Sequence, residues 1–346
     1  MKSAIYLFTL DLDWQLIGRL STIDRFDASW SSIERQEGKS LQQLKKIATV
    51  RSAAASTRIE GSLMTNAEVD ALLANIDIGK LEDRDSQEVV GYYETMDLIA
   101  DAYNDIGVTQ NSLKHLHRAC LKHSEKDQWH RGDYKQHSNA VEATYPDGTS
   151  HIIFRTTEAG FPTSDAMRAL VDWYRRDTET HPLVKSAVFV YEFLSIHPFQ
   201  DGNGRLSRLL TNLLLLKNGY KWVQYVSLEH EVEDRKSEYY RVLRSCQGNR
   251  PNEDISEWIT FFFNVLERVQ QQLMQKLEES GLRQQLSTRE KTILAYISTH
   301  PGCKSGAIAK ALAIPSPTVK RQLAGLLEKQ LVDRHGVGAG TTYTVV

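Results

Sequence analysis

The sequence predicts a mainly α fold, and three observations carry that prediction. Apolar residues crowd segments 188–196 and 206–216 so densely that both read as helices buried on nearly every side. One stretch, 139–156, breaks the helical pattern. Its β-prone runs VEATY and HIIFRT flank the turn signal Pro146-Asp147-Gly148 and predict a hairpin standing out from a helical body. From residue 285 onward, eight Lys or Arg stand against three Asp or Glu, a net +5 against −7 for everything before, and the pattern changes to short helices followed by two strands.

Taken from the N-terminus, residues 41–59 have helical spacing around the small-residue run Ser52-Ala53-Ala54-Ala55. Thr65-Asn66-Ala67-Glu68 starts a fresh helix with Thr65 or Asn66 as N-cap. These belong to an N-terminal helical extension, 1–86. The next body, 87–281, holds the hairpin, the two buried helices and a long helix over 256–277. Trp258, Ile259, Phe262, Val265, Leu266, Val269 and Leu273 give that helix one broad apolar face. It is expected to end near Ser280-Gly281, with the polar Arg283-Gln284-Gln285 as the boundary.

In the tail, Ser287 caps a helix running to His300, 305–312 form a second, and Pro315-Ser316-Pro317 turns into a third over 318–329. Strands 331–335 and 341–345 then enclose a glycine-rich tip, 336–340. This is a winged helix-turn-helix pattern over 285–346. Lys320 and Arg321 start its recognition helix, where DNA phosphates or base edges would be met. The same pattern also serves protein binding or homodimer formation behind a solvated basic face.

With 346 residues, a net charge of −2 and 41% hydrophobic residues, the chain can bury a large core spread over two or three domains. No run of about 18 apolar residues exists, and Asp11 and Asp13 interrupt the apolar N-terminus. Neither export nor a membrane contact is expected. Cys120, Cys246 and Cys303 lie far apart and form no C-x-x-C pair, which suits a reducing cytoplasm.

The chemistry concentrates in His197-Pro198-Phe199-Gln200-Asp201-Gly202-Asn203-Gly204-Arg205-Leu206-Ser207-Arg208. Pro198 ends one helix at Ile196 and a second is expected after Gly204, so 200–204 read as a loop feeding a helix N-terminus. Such a loop is an anion site: its glycines admit close backbone N–H approach, and the helix dipole favours negative charge. Arg205 and Arg208, three apart, can grip successive phosphates. His197 adds a base, and Asp201 adds a carboxylate for a hard cation that shares phosphate ligands. That is equipment for nucleotidyl transfer.

Read together, these residues resemble the Fic-domain AMP transferases, whose pattern H-x-F-x-D/E-G-N-G-R-x-x-R is met at every fixed position. Such a coincidence has a chance probability of roughly 10⁻⁷ or less. The resemblance spans about 87–273 and implies a Fic-type helical domain with a β-hairpin flap. It implies a protein adenylyltransferase that moves AMP from ATP, with Mg²⁺, to a Tyr, Thr or Ser hydroxyl of an unidentified target protein or of the chain itself. His197 would be the general base, Phe199 the anchor of the loop and Asp201 the Mg²⁺ ligand. Gly202, Asn203 and Gly204 would cradle phosphate, with Asn203 donating to it or fixing the loop, while Arg205 meets the β-phosphate and Arg208 the γ-phosphate. Val141, Glu142, Ala143 and Thr144 fall in the flap, which registers the target by strand addition. Tyr239, Tyr240 and Gln247 match the adenine pocket. The loop 147–150 is longer than in the shortest flaps.

Upstream, Ser56-Thr57-Arg58-Ile59-Glu60-Gly61 resembles the family's inhibitory pattern Ser/Thr-x-x-x-Glu-Gly/Asn. Chance alone would place so loose a pattern in roughly one chain in three of this length. Its position at the end of a helical stretch ahead of the Fic domain gives it weight. It implies that Glu60 pairs with Arg208 and fills the fork the γ-phosphate needs. Two further readings use the same residues: AMP removal with Glu60 positioning a water, and a DNA-binding transcription regulator whose Fic domain senses nucleotide. Phosphotransfer of the Doc type is disfavoured by Gly204 and Arg205.

Overall fold

A computed structural model describes residues 10–345 except 12, 37, 77–80, 82, 145–149, 285, 330 and 337. The chain is mainly helical and divides into two compact units, Met1–Leu273 and Met274–Val346. Among the described residues no helix is long and apolar enough to cross a membrane.

The first unit opens with α1 (Trp14–Gln36) and α2 (Gly38–Ile59). Leu16, Ile23 and Trp30 bury a narrow stripe of α1. In α2, residues 52–57 are all buried, and these small side chains allow close packing against α4 (Arg84–Ala102) and α9 (Leu228–Asp234). Between them lies α3 (Asn66–Ala74). Its N-cap is Thr65, in a reciprocal capping box with Glu68. Thr109 caps α5 (Gln110–Cys120) by accepting from the Ser112 N–H.

The expected hairpin is present as β1 (Ala140–Thr144) and β2 (Ser150–Arg155), antiparallel from Ala140↔Arg155 to Thr144↔Ser150. A bulge between Val141 and Glu142 shifts the register. The Pro146-Asp147-Gly148 turn and most of the 147–150 loop lie outside the described residues.

After α6 (Phe161–Arg176) come α7 (Pro182–Ile196) and α8 (Asn203–Lys217), packed against each other at the centre of the unit. Every residue from 186 to 196 is buried, as are Leu206, Leu209, Leu210 and 213–216, matching the dense apolar spacing. α8 starts earlier than expected: its first residue is Asn203, so Gly204 sits inside the first turn rather than in the loop. α10 (Lys236–Gln247) and α11 (Ser256–Gln284) follow. α11 also overruns its expected stop at Ser280-Gly281. An interior glycine costs about 1 kcal/mol relative to Ala, too little to end a 29-residue helix.

In the second unit, α12 (Thr288–Thr299), α13 (Ser305–Ala311) and α14 (Ser316–Glu328) enclose a core of Ile293, Ile297, Ile308, Val319, Leu323 and Leu326. Ser287 caps α12 in a second capping box, with Glu290. α14 takes Pro317 into its first turn, where a missing N–H is harmless, and therefore starts before residue 318. β3 (Val332–His335) pairs antiparallel with β4 (Thr342–Val345), and Cys303 adds an isolated bridge to Tyr343. Lys320 and Arg321 are exposed on α14.

Candidate active site

The loop between α7 and α8 is built by its own residues. Pro198 denies α7 another turn, and His197 closes the helix in the left-handed region (φ 53°), donating its N–H to Phe193 O at 2.9 Å. Phe199 is fully buried and stacks on His117, with ring centroids 3.8 Å apart. Asn203 then ties the loop shut: Oδ1 accepts from the Phe199 N–H at 2.9 Å, and Nδ2 donates to Phe199 O at 2.8 Å. Of the two uses expected for this side chain, the contacts are those of a loop brace. Gly202 caps α8 at φ 78°, where a Cβ would stand 3.2 Å from His117 Nε2.

His117 holds this loop from beneath. Its Nδ1 accepts from the Gly132 N–H at 2.8 Å, so the proton lies on Nε2, which donates to Asp201 O at 2.9 Å. That pairing suits the neutral ring only. Burial pushes its pKa down to about 4.

Asp201 leaves its carboxylate half-exposed, with Oδ1 accepting from the Gly202 N–H at 2.6 Å and Oδ2 at 3.0 Å from Lys126 Nζ. Burial alone would raise its pKa. Arg205, Lys126 and the Gly202 N–H outweigh that and hold it well below the usual carboxylate range. Among the described residues no three His, Cys, Asp or Glu side chains gather around one point. One ionised, half-exposed carboxylate beside a helix N-terminus is nevertheless a fitting anchor for Mg²⁺, which keeps waters and takes its other ligands from phosphates.

Arg205 and Arg208 face different partners. Arg205 is buried, with Nη1 at 3.1 Å from Glu88 Oε1 and Nη2 at 3.6 Å from Asp201 Oδ1, and its Nε and Nη1 complete no hydrogen bond. Arg208 reaches back to α2: Nε donates to Ser56 Oγ at 2.8 Å, and Nη2 to Ser56 O at 3.0 Å and Glu60 Oε1 at 2.7 Å. Burial disfavours its charge, but Glu60 and the neighbouring phenols more than compensate and raise its pKa. Among the described residues Nη1 is buried without a hydrogen-bond partner. The Glu60 carboxylate lies over the first turn of α8, where a Cβ on Gly204 would overlap Oε1. Two residues earlier, Arg58 grips Glu233 through two hydrogen bonds, of 2.6 and 2.9 Å, and donates to Met64 O at 3.1 Å, bracing the turn that presents Glu60.

His197 is half-buried beside this cluster, with Nδ1 at 3.4 Å from Leu194 O. That carbonyl favours a proton on Nδ1 and leaves the Nε2 lone pair free. Burial, followed by the Lys135 ammonium, pushes its pKa down to about 4. Tyr239 is buried and lines an apolar cavity with Ser207, Arg208, Glu229 and Trp258. Tyr240 meets its ring edge-on at 5.1 Å. Gln247 is buried and donates to Ser195 Oγ at 3.1 Å, two residues before His197, leaving Oε1 without a partner among the described residues. Val141, Glu142, Ala143 and Thr144 all lie on β1.

Glu60 and Arg208, 148 residues apart, are thus brought into contact. Contacts that the sequence reading missed include His117, Lys126, Lys135 and Glu88. Each meets its partner across more than 60 residues, and nothing in its local spacing marks it.

Residues 107–215 match the Fic/DOC family and residues 284–340 the MarR family. The chain is 28% identical over 256 residues to the protein adenylyltransferase Fic of Drosophila willistoni, covering 72% of this chain and 46% of that protein. The Drosophila melanogaster protein of the same name is also 28% identical, with 72% and 47% covered. The chain therefore spans about half the length of the curated relatives it matches. In fold it resembles a Fic family protein from Desulfovibrio desulfuricans G20, at a TM-score of 0.65 and 23% identity over 99% of this chain and 98% of that one. A Fic domain-containing signalling protein from Bacteroides thetaiotaomicron VPI-5482 follows at 0.59 and 22%, covering 74% and 97%. The chain thus carries a Fic domain, followed by a MarR-like region with a winged-helix fold.

Proposed function

We propose that the chain is a protein adenylyltransferase, transferring AMP from ATP to a Tyr, Thr or Ser hydroxyl of a protein and restrained by Glu60. The observation that carries this reading is the loop between α7 and α8. It presents a lone-pair nitrogen of His197, an ionised Asp201 and the N-terminus of α8 together, with unspent N–H groups on both arginines. Asp201 would hold Mg²⁺, which supplies charge neutralisation to the phosphates. The first turn of α8, Arg205 and Arg208 would take the polyphosphate, and Tyr239, Tyr240 and Gln247 the adenine. β1, paired only with β2 among the described residues, offers its other edge to an extended target segment. The hydroxyl oxygen attacks the α-phosphorus, the bond to the bridging oxygen breaks, pyrophosphate leaves, and the hydroxyl proton passes to His197 Nε2.

Mass spectrometry of the purified protein after incubation with ATP and Mg²⁺, alone and with candidate targets, tests this. AMP addition is expected with the native chain and lost in His197→Ala, with nucleotide binding retained because the phosphate donors lie elsewhere. Transfer at the native rate by His197→Ala would refute the mechanism. Release of AMP from an adenylated protein without any transfer would reverse the assigned direction.

A further inference from the structure

Lys135 lies between α5 and β1 with its side chain almost wholly buried. Its ammonium donates to Asn139 Oδ1 at 2.9 Å, Thr156 Oγ1 at 2.7 Å and Ile196 O at 3.2 Å. Among the described residues these acceptors are all neutral, although an unpaired buried charge is expensive. A methionine would fill the same space without that cost, so the cation needs a reason in what it joins.

Asn139 and Thr156 stand immediately outside β1 and β2, at the two feet of the hairpin. They are also tied to each other, with Thr156 Oγ1 at 2.8 Å from Asn139 O. Ile196 immediately precedes His197. The Lys135 backbone N–H donates to Pro198 O at 2.8 Å, just after His197, and Asn139 Nδ2 donates to Phe199 O at 3.2 Å. One residue therefore holds both feet of the flap and the main chain on both sides of His197. We propose that Lys135 is a positioning residue that couples the flap to the main chain carrying His197. The inference rests on the proposed roles of His197 and the hairpin.

Electrostatics agree with the geometry. Burial is the main cause of the depressed His197 pKa, Lys135 adds to it, and Glu60 from α2 and Asp201 from the loop pull the other way. Burial lowers the Lys135 pKa only to about 8, so the cation persists at neutral pH. A base kept free of its proton can receive one from the target hydroxyl, and an anchored flap delivers that hydroxyl in register.

The test is Lys135→Met in the full chain, read by NMR titration of His197 and by amide hydrogen exchange, neither of which needs turnover. The His197 pKa should move up from about 4 towards its ordinary 6.5, and exchange over 139–144 and 150–156 should rise about tenfold or more while α7 keeps its protection. Thr156→Val keeps the cation but removes one foot: it should speed exchange in the hairpin and leave the His197 titration alone. A folded Lys135→Met protein with native titration and native exchange overturns the proposal. If that variant fails to fold, native hairpin exchange in Thr156→Val overturns it instead. Absence of AMP transfer in the native chain would sink the proposed activity and leave both readouts intact.

Discussion

Replacing Glu60 by glycine isolates the restraint on the proposed reaction. In the resting protein one Glu60 oxygen accepts from Arg208 at 2.7 Å, with the arginine 6% and the glutamate 29% exposed. At 4 Å and an effective dielectric of 20 the bare attraction would be about 4 kcal/mol, an upper bound because both charges lose hydration. A hydrogen bond between charged groups nets about 1.5–3 kcal/mol, or about 10- to 150-fold in a competing equilibrium. Only one arginine nitrogen meets Glu60, and Ser56 also holds the side chain in place, so the lower half of that range applies. Initial rates of AMP incorporation should therefore rise about tenfold or somewhat more in Glu60→Gly. Arg208→Ala also releases the restraint, but it removes a proposed phosphate ligand, so that variant should be slow and the double variant equally slow. Equal rates for the native protein and Glu60→Gly would refute the reasoning, whatever the contact looks like at rest.

Acid should destabilise the fold in a defined window. His117 and His197 have folded pKa values of about 4 against an ordinary 6.5. As pH falls from about 6.5 to about 4, the unfolded chain takes up protons that the folded chain refuses, and stability is lost. Thermal midpoints that stay flat between pH 7 and about 4.5 would contradict those depressed values. For the winged helix, duplex DNA binding should weaken steeply with salt, and Lys320→Ala/Arg321→Ala should reduce the log–log slope by about 2. An absence of binding to duplex DNA even at low salt would assign that unit to protein contacts.

What was legible in the sequence was local. Pro198 and the spacing around it placed the end of α7, and Thr65 and Ser287 announced their helices through side chains that reach only three residues ahead. α1 was not delimited within the expected helical extension because its fully buried residues Leu16, Ile23 and Trp30 fall seven apart, while other apolar residues such as Trp14 and Ile17 are exposed. Helix ends misled where a breaker was tolerated: Gly281 inside α11 and Pro317 in the first turn of α14. The hairpin was readable from its β-prone runs, but its bulge depends on pairing and has no one-residue signature. At the site, the contact between Glu60 and Arg208 followed from family resemblance, not from spacing. The shelf beneath it, His117 with Gly132 and Asp201, is a tertiary arrangement of a lone histidine on an ordinary helix.

Gly204 carries one more consequence. The space above it is filled by the Glu60 carboxylate, and a side chain of any size there would evict that group. On the proposed reading the carboxylate is a tethered competitor of the nucleotide's terminal phosphate. A carboxylate fixed within the same folded unit competes intramolecularly, so its strength as a rival does not depend on protein concentration. Nucleotide must therefore work against a rival whose concentration never changes, and the fraction of unrestrained molecules follows the ATP level instead of the amount of protein present.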